Sequence, residues 1–184
     1  MIWNLPNKLT ISRMLMVPLF VLFLLLENGE NTGFRILALC LFCIASITDY
    51  LDGKIARTCH LVTNFGKFMD PLADKLLVCS ALISMISLSL LPAWVVLIVV
   101  AREFIISGFR LVAAEQGIVI AASIWGKSKT VSQMACIIAL LLPVPTDWWG
   151  GVCRFLTVLM TVLTVISLLD YLCKNRKVLE ERTE

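Results

Sequence analysis

Asp49-Tyr50-Leu51-Asp52-Gly53-Lys54-Ile55-Ala56-Arg57, followed by Gly66-Lys67-Phe68-Met69-Asp70-Pro71-Leu72-Ala73-Asp74, are the two stretches that decide how this chain is built. The first closes one long apolar run and the second opens the next. Asp49 and Asp52 are three residues apart, and Asp70 and Asp74 are four apart, so each pair shares a face of a helix. The connection between them is short, which lets the two helices pack as antiparallel neighbours with their acidic faces meeting. A carboxylate at the centre of a membrane helix costs roughly 2.5–3.5 kcal/mol, and four together repel one another. Such a cluster is tolerated in a wet cavity where cations supply the missing charge. Oxygen donors without histidine or thiolate favour Mg²⁺, Mn²⁺ or Ca²⁺ over zinc. Magnesium is the expected ion, because it commonly works between carboxylates and phosphates.

Small residues continue the acidic faces. Gly53 is four after Asp49, Ala56 four after Asp52, and Gly66 four before Asp70. They leave a bare strip on which a flat group such as a nucleotide base can approach the backbone. Arg57 is placed to meet phosphate charge. Simple ion pairing of the acids with Lys54, Arg57, Lys67 and Lys75 is the plainer alternative, but it does not account for four carboxylates interleaved with small residues.

Outward from this centre the chain reads as a membrane protein. Of its 184 residues 59% are hydrophobic and 16% charged, against about half and a quarter in soluble domains. Six apolar stretches read as spanning helices, near 9–26, 34–57, 71–90, 93–114, 129–142 and 152–173. Pro92 and Pro143-Val144-Pro145 punctuate the connections. The expected fold is thus all-α, one membrane domain over 1–184 with a polar, metal-containing cavity at the cytoplasmic side. Residues 1–8 are an interfacial segment, and 174–184 a cytoplasmic tail. No small-residue cleavage pattern follows the first stretch, so it is expected to stay in the protein. Six spans place both termini on one side, and that side holds every Lys and Arg except Arg35 and Arg154. By the positive-inside rule it is cytoplasmic. Topology alone does not explain Arg102 and Arg110, which lie on the fourth apolar helix. The seven cysteines lie mostly in or beside apolar segments, where Cys40 and Cys43 read as packing residues, not as a redox or zinc pair.

The segment from Asp49 to Asp74 resembles the signature of the CDP-alcohol phosphotransferase family, D-x2-D-G-x2-A-R-x8-G-x3-D-x3-D, and matches every fixed position. The likeness extends to Asn4–Arg13, to Ala101-Arg102-Glu103 with Arg110, and to Gly126-Lys127-Ser128-Lys129-Thr130 with Gln133. These outer motifs are similar to those of members that use sn-glycerol 3-phosphate.

The resemblance implies a six-helix fold, commonly a homodimer, in a bacterial-type cytoplasmic membrane, with its active site open to the cytoplasm. It implies transfer of the phosphatidyl group of CDP-diacylglycerol to sn-glycerol 3-phosphate, with release of CMP. Asp49, Asp52 and Asp70 would hold one Mg²⁺, and Asp49, Asp70 and Asp74 a second, with Mn²⁺ able to substitute. Asp74 is the implied general base. Gly53, Ala56, Arg57 and Gly66 line the nucleotide and diphosphate site, joined by Asn7, Thr10 and Arg13 from the first helix. Arg110, Lys127 and Lys129 are expected at the acceptor phosphate, with Glu103 orienting a basic residue. Membrane lipids are expected partners and nucleic acid is not. The signature leaves serine, an inositol phosphate or phosphatidylglycerol open as acceptors. A divalent cation transporter is the alternative from another class, although transporter sites tend to lie at the midplane of broken helices.

Overall fold

The computed structural model describes the backbone of residues 5–58, 64–115, 120 and 123–175, and the side chains of these except 5–8, 50–58, 64–71, 74 and 115. Six helices follow in order: α1 (Leu5–Leu25), α2 (Thr32–Thr58), α3 (Asn64–Ser87), α4 (Ala93–Glu115), α5 (Ile124–Leu141) and α6 (Asp147–Lys174). A 3₁₀ turn, Leu26–Gly29, joins α1 to α2. No strand occurs among the described residues.

All six expected helices form, and all but α4 start earlier than hydropathy suggests. α1 starts at Leu5, so residues 5–8 are continuous with the first helix. α3 runs through Pro71 and begins at Asn64, placing Gly66 and Asp70 on the helix. α5 begins at Ile124, where the Ser123 hydroxyl accepts from the Gly126 N–H at 3.1 Å, a cap that hydropathy does not register. Lys127 and Lys129 are therefore helical.

Leu9–Gly29, Thr32–Asp49 and Asp147–Lys174 are long and apolar enough to cross a membrane by length and composition. α4 has the length, but Arg102, Glu103 and Arg110 interrupt its apolar run. The first half of α5 is polar, and the apolar part of α3 is confined to Lys75–Ser87.

The chain forms two compact units, residues 1–90 with 141–143 and residues 91–140 with 144–184. In the first, α1 buries a stripe of Thr10, Arg13, Val17, Phe20 and Leu24, spaced by threes and fours as one helical face requires. α2 answers with Ala38, Phe42 and Ala45. Phe20 and Phe42 pack with ring centroids 5.9 Å apart. Seven residues back on α1 and seven forward on α2, Arg13 pairs with Asp49. The two helices are therefore antiparallel and locked in register. Asn31 starts α2 by accepting from the Gly33 N–H at 2.9 Å, and its own amide donates to Glu27 at 2.9 Å. The preceding turn puts Glu27, Asn28 and Gly29 all at positive φ.

α3 buries Ala73, Leu77, Ala81, Leu82 and Met85. A Cβ placed on Gly29, beyond the end of α1, would meet the side chain of Leu88, beyond the end of α3. α3 thus runs parallel to α1 and antiparallel to α2.

In the second unit α4 and α6 run the same way, because Arg102 meets Ser167 and, further along both helices, Phe109 meets Tyr171 edge-on at 5.7 Å. Ile106, Phe109, Ala113 and Tyr171 form a buried cluster there. α5 runs against α6. The Trp149 indole donates to the Ala139 carbonyl at 3.1 Å, while Cys136 lies 3.6 Å from Thr157.

Candidate active site

The helix directions in the first unit bring three segments to one end: the first half of α1, the last half of α2 and the first half of α3. These carry Thr10 and Arg13, Asp49 and Asp52, and Asp70 and Asp74 respectively. The acids fall at register positions that continue the packing stripes. Asp49 and Asp52 follow Ala45 by four and seven residues, and Asp70 precedes Ala73 by three and Leu77 by seven. By spacing alone, the acids thus stand at the end of the stripe Ala38, Phe42 and Ala45 on α2 and at the start of the stripe Ala73, Leu77 and Ala81 on α3.

Of the four aspartates, the described side chain is Asp49. Its carboxylate is about one-third exposed (35%) and accepts from the guanidinium of Arg13, which is wholly buried. Thr10 is also fully buried one turn away. Arg13 and Thr10, expected at the diphosphate, therefore sit inside the α1 interface, with Arg13 directed onto a proposed metal ligand. The side chains of Asn7, Asp52, Gly53, Ala56, Arg57, Gly66, Asp70 and Asp74 lie outside the described residues. Among the described residues no three His, Cys, Asp or Glu side chains gather as a metal site, and the groove lined by Val17, Val21, Leu25 and Ser80 is apolar. The two helices brought to this end carry four aspartates in sequence, and carboxylate donors suit a hard divalent cation.

The acceptor candidates belong to the second unit. Arg110 is exposed and lies over the ring of Tyr171, 5.9 Å from its centroid. That is cation–π distance. Lys127 is exposed on the first turn of α5. Lys129 is not exposed: it is 1% accessible and donates to both Glu103 and Gln133. Glu103 also accepts from Arg102 at 2.9 Å, and Arg102 reaches Ser167 on α6 at 2.5 Å. Glu103, expected to orient a basic residue, thus touches two of them, Arg102 and Lys129.

Ser167 and Tyr171 were missed by sequence reasoning. The signal was a 160–164–167–171 stripe of Met, Thr, Ser and Tyr within an otherwise aliphatic helix. All four are buried.

A family model described as CDP-alcohol phosphatidyltransferase matches residues 3–169. A Bacillus subtilis protein named CDP-diacylglycerol–glycerol-3-phosphate 3-phosphatidyltransferase is 42% identical over 97% of this chain and 98% of its own. An Escherichia coli protein of the same name is 38% identical over 95% of this chain and 96% of its own. A Mycobacterium tuberculosis protein named probable phosphatidylglycerophosphate synthase is 39% identical over 93% and 81%.

Proposed function

The chain belongs to the CDP-alcohol phosphatidyltransferase family, and from that premise we propose that it makes phosphatidylglycerophosphate from CDP-diacylglycerol and sn-glycerol 3-phosphate. It is a membrane enzyme of phospholipid biosynthesis. The observation that carries this reading is the placement of both acidic half-motifs at one end of the first unit, beside Arg13.

Asp49, Asp52 and Asp70 would hold one Mg²⁺, and Asp49, Asp70 and Asp74 the other. When bound, the ions neutralise charge on the diphosphate and on the departing CMP. Arg13, buried behind Asp49, fixes the orientation of that carboxylate. Gly53, Ala56 and Gly66 leave room for the cytidine, and Arg57 meets the diphosphate. Asp74 takes the proton of the acceptor hydroxyl as its oxygen bonds to the phosphatidyl phosphorus. The bond from that phosphorus to CMP breaks in the same displacement. Arg110, Lys127 and Lys129 receive the acceptor's phosphate, so positioning and charge carry most of the catalysis.

The acyl chains of the donor stay in lipid, and the polar acceptor enters from the cytoplasm, where both termini lie. The whole chain works as one catalytic domain and pairs as a homodimer.

Purified protein supplied with CDP-diacylglycerol, Mg²⁺ and a panel of alcohols tests the reading by CMP release. The expected result is turnover with sn-glycerol 3-phosphate. Turnover with serine, an inositol phosphate or phosphatidylglycerol in its place would reassign the acceptor.

A further inference from the structure

We infer that Glu103 is a positioning residue for the acceptor, fixing Lys129 and Arg102 as a pair of buried cations where α4, α5 and α6 meet. The inference rests on the proposed use of Lys129 at the acceptor phosphate.

One carboxylate oxygen of Glu103 accepts from both Lys129 and Arg102. Lys129 is 1% exposed and Arg102 is buried, and an ammonium or guanidinium withdrawn from water requires a countercharge. Two buried cations thus share this one carboxylate oxygen.

Each cation is also held from a second side. Arg102 donates to Ser167 at 2.5 Å, and Lys129 donates to the Gln133 carbonyl oxygen. That contact leaves the Gln133 amide nitrogen as a donor. This nitrogen and the Arg102 Nε are buried without a hydrogen-bond partner among the described residues. Unmet donors beside two buried cations complement an anion such as a phosphate. Glu103 cannot itself bind that anion. Its part is to hold Lys129 and Arg102 in place and to lower the cost of keeping both charged.

The test uses the full chain in lipid–detergent micelles, with KM for each substrate measured separately for wild type, Glu103→Gln and Glu103→Asp, alongside thermal stability. Glu103→Gln should raise KM for sn-glycerol 3-phosphate by about tenfold or more while leaving KM for CDP-diacylglycerol within about twofold. Glu103→Asp, which keeps the charge on a shorter arm, should fall between wild type and Gln. A purely structural tie would lower stability without separating the two KM values. An unchanged acceptor KM in Glu103→Gln, or an equal rise in both, overturns the inference. Should Glu103→Gln fail to fold, Glu103→Asp decides by the same split. A wild-type protein that does not use sn-glycerol 3-phosphate overturns the acceptor reading and this inference with it.

Discussion

Arg13 of α1 meets Asp49 of α2 as a fully buried guanidinium on a carboxylate that water still reaches. The pair joins the packing of the first unit to the acidic end of α2. Arg13→Ala should lower stability by about 2 kcal/mol, the worth of a hydrogen bond to a charged group. Activity should fall about tenfold or more, because Asp49 loses its fixed orientation. Arg13→Lys keeps the charge but not the planar donor fork, so it should recover only part of both. Thermal unfolding in detergent and CMP release measure the two effects.

Asp74→Asn retains the shape of the side chain but accepts no proton. Turnover should drop by about a hundredfold or more, with CDP-diacylglycerol still bound. Chelation of divalent cations should abolish activity in the wild-type protein, and added Mg²⁺ should restore it. Near-normal turnover of Asp74→Asn would remove this residue from the chemistry.

Tyr171 supports Arg110 through its ring. Its buried hydroxyl has no hydrogen-bond partner among the described residues. Tyr171→Phe should therefore be close to neutral in both stability and acceptor KM. Tyr171→Ala removes the ring and the edge-on contact with Phe109, and should cost about 3 kcal/mol or more of stability and raise acceptor KM. Arg110→Ala should raise acceptor KM with little change in stability, since Arg110 is exposed.

Gly29 has φ +72°, and a Cβ there would lie 2.9 Å from the Leu88 side chain. Gly29→Ala should lower stability by about 1 kcal/mol or more. The turn lies at the end of the first unit away from the aspartates, so KM for either substrate should stay unchanged. Melting temperature against KM separates the two.

Most of the helical plan was legible because apolar length and breaking residues mark it directly. Asp49, Asp52, Asp70 and Asp74 stood out because carboxylates are costly next to apolar runs. The starts of α3 and α5 were not legible. Pro71 looks like a first-turn residue, yet the helix passes through it, and the Ser123 cap is a local hydrogen bond with no hydropathy signal. Lys129 stands out in the sequence as a candidate cation for the acceptor phosphate, but its burial was not legible, because that depends on contact with Glu103, 26 residues away. The pairing of Arg13 with Asp49 was not legible for a similar reason. Its partner lies 36 residues on, and pairing at that range depends on helix register, which periodicity alone does not give.

The two-turn spacing from Phe20 to Arg13 and from Phe42 to Asp49 makes each helix a ruler measured from an aromatic zero mark. One residue inserted or deleted between mark and charge swings the charge by about 100° around the helix axis. The guanidinium and carboxylate would then face different neighbours even though every original side chain remained. Length changes in the 26–31 connection leave both rulers intact. Length changes should thus act differently within a span of barely forty residues: at the bend they cost stability but keep each charge on its face, whereas along the two arms they also turn the charge away from its partner.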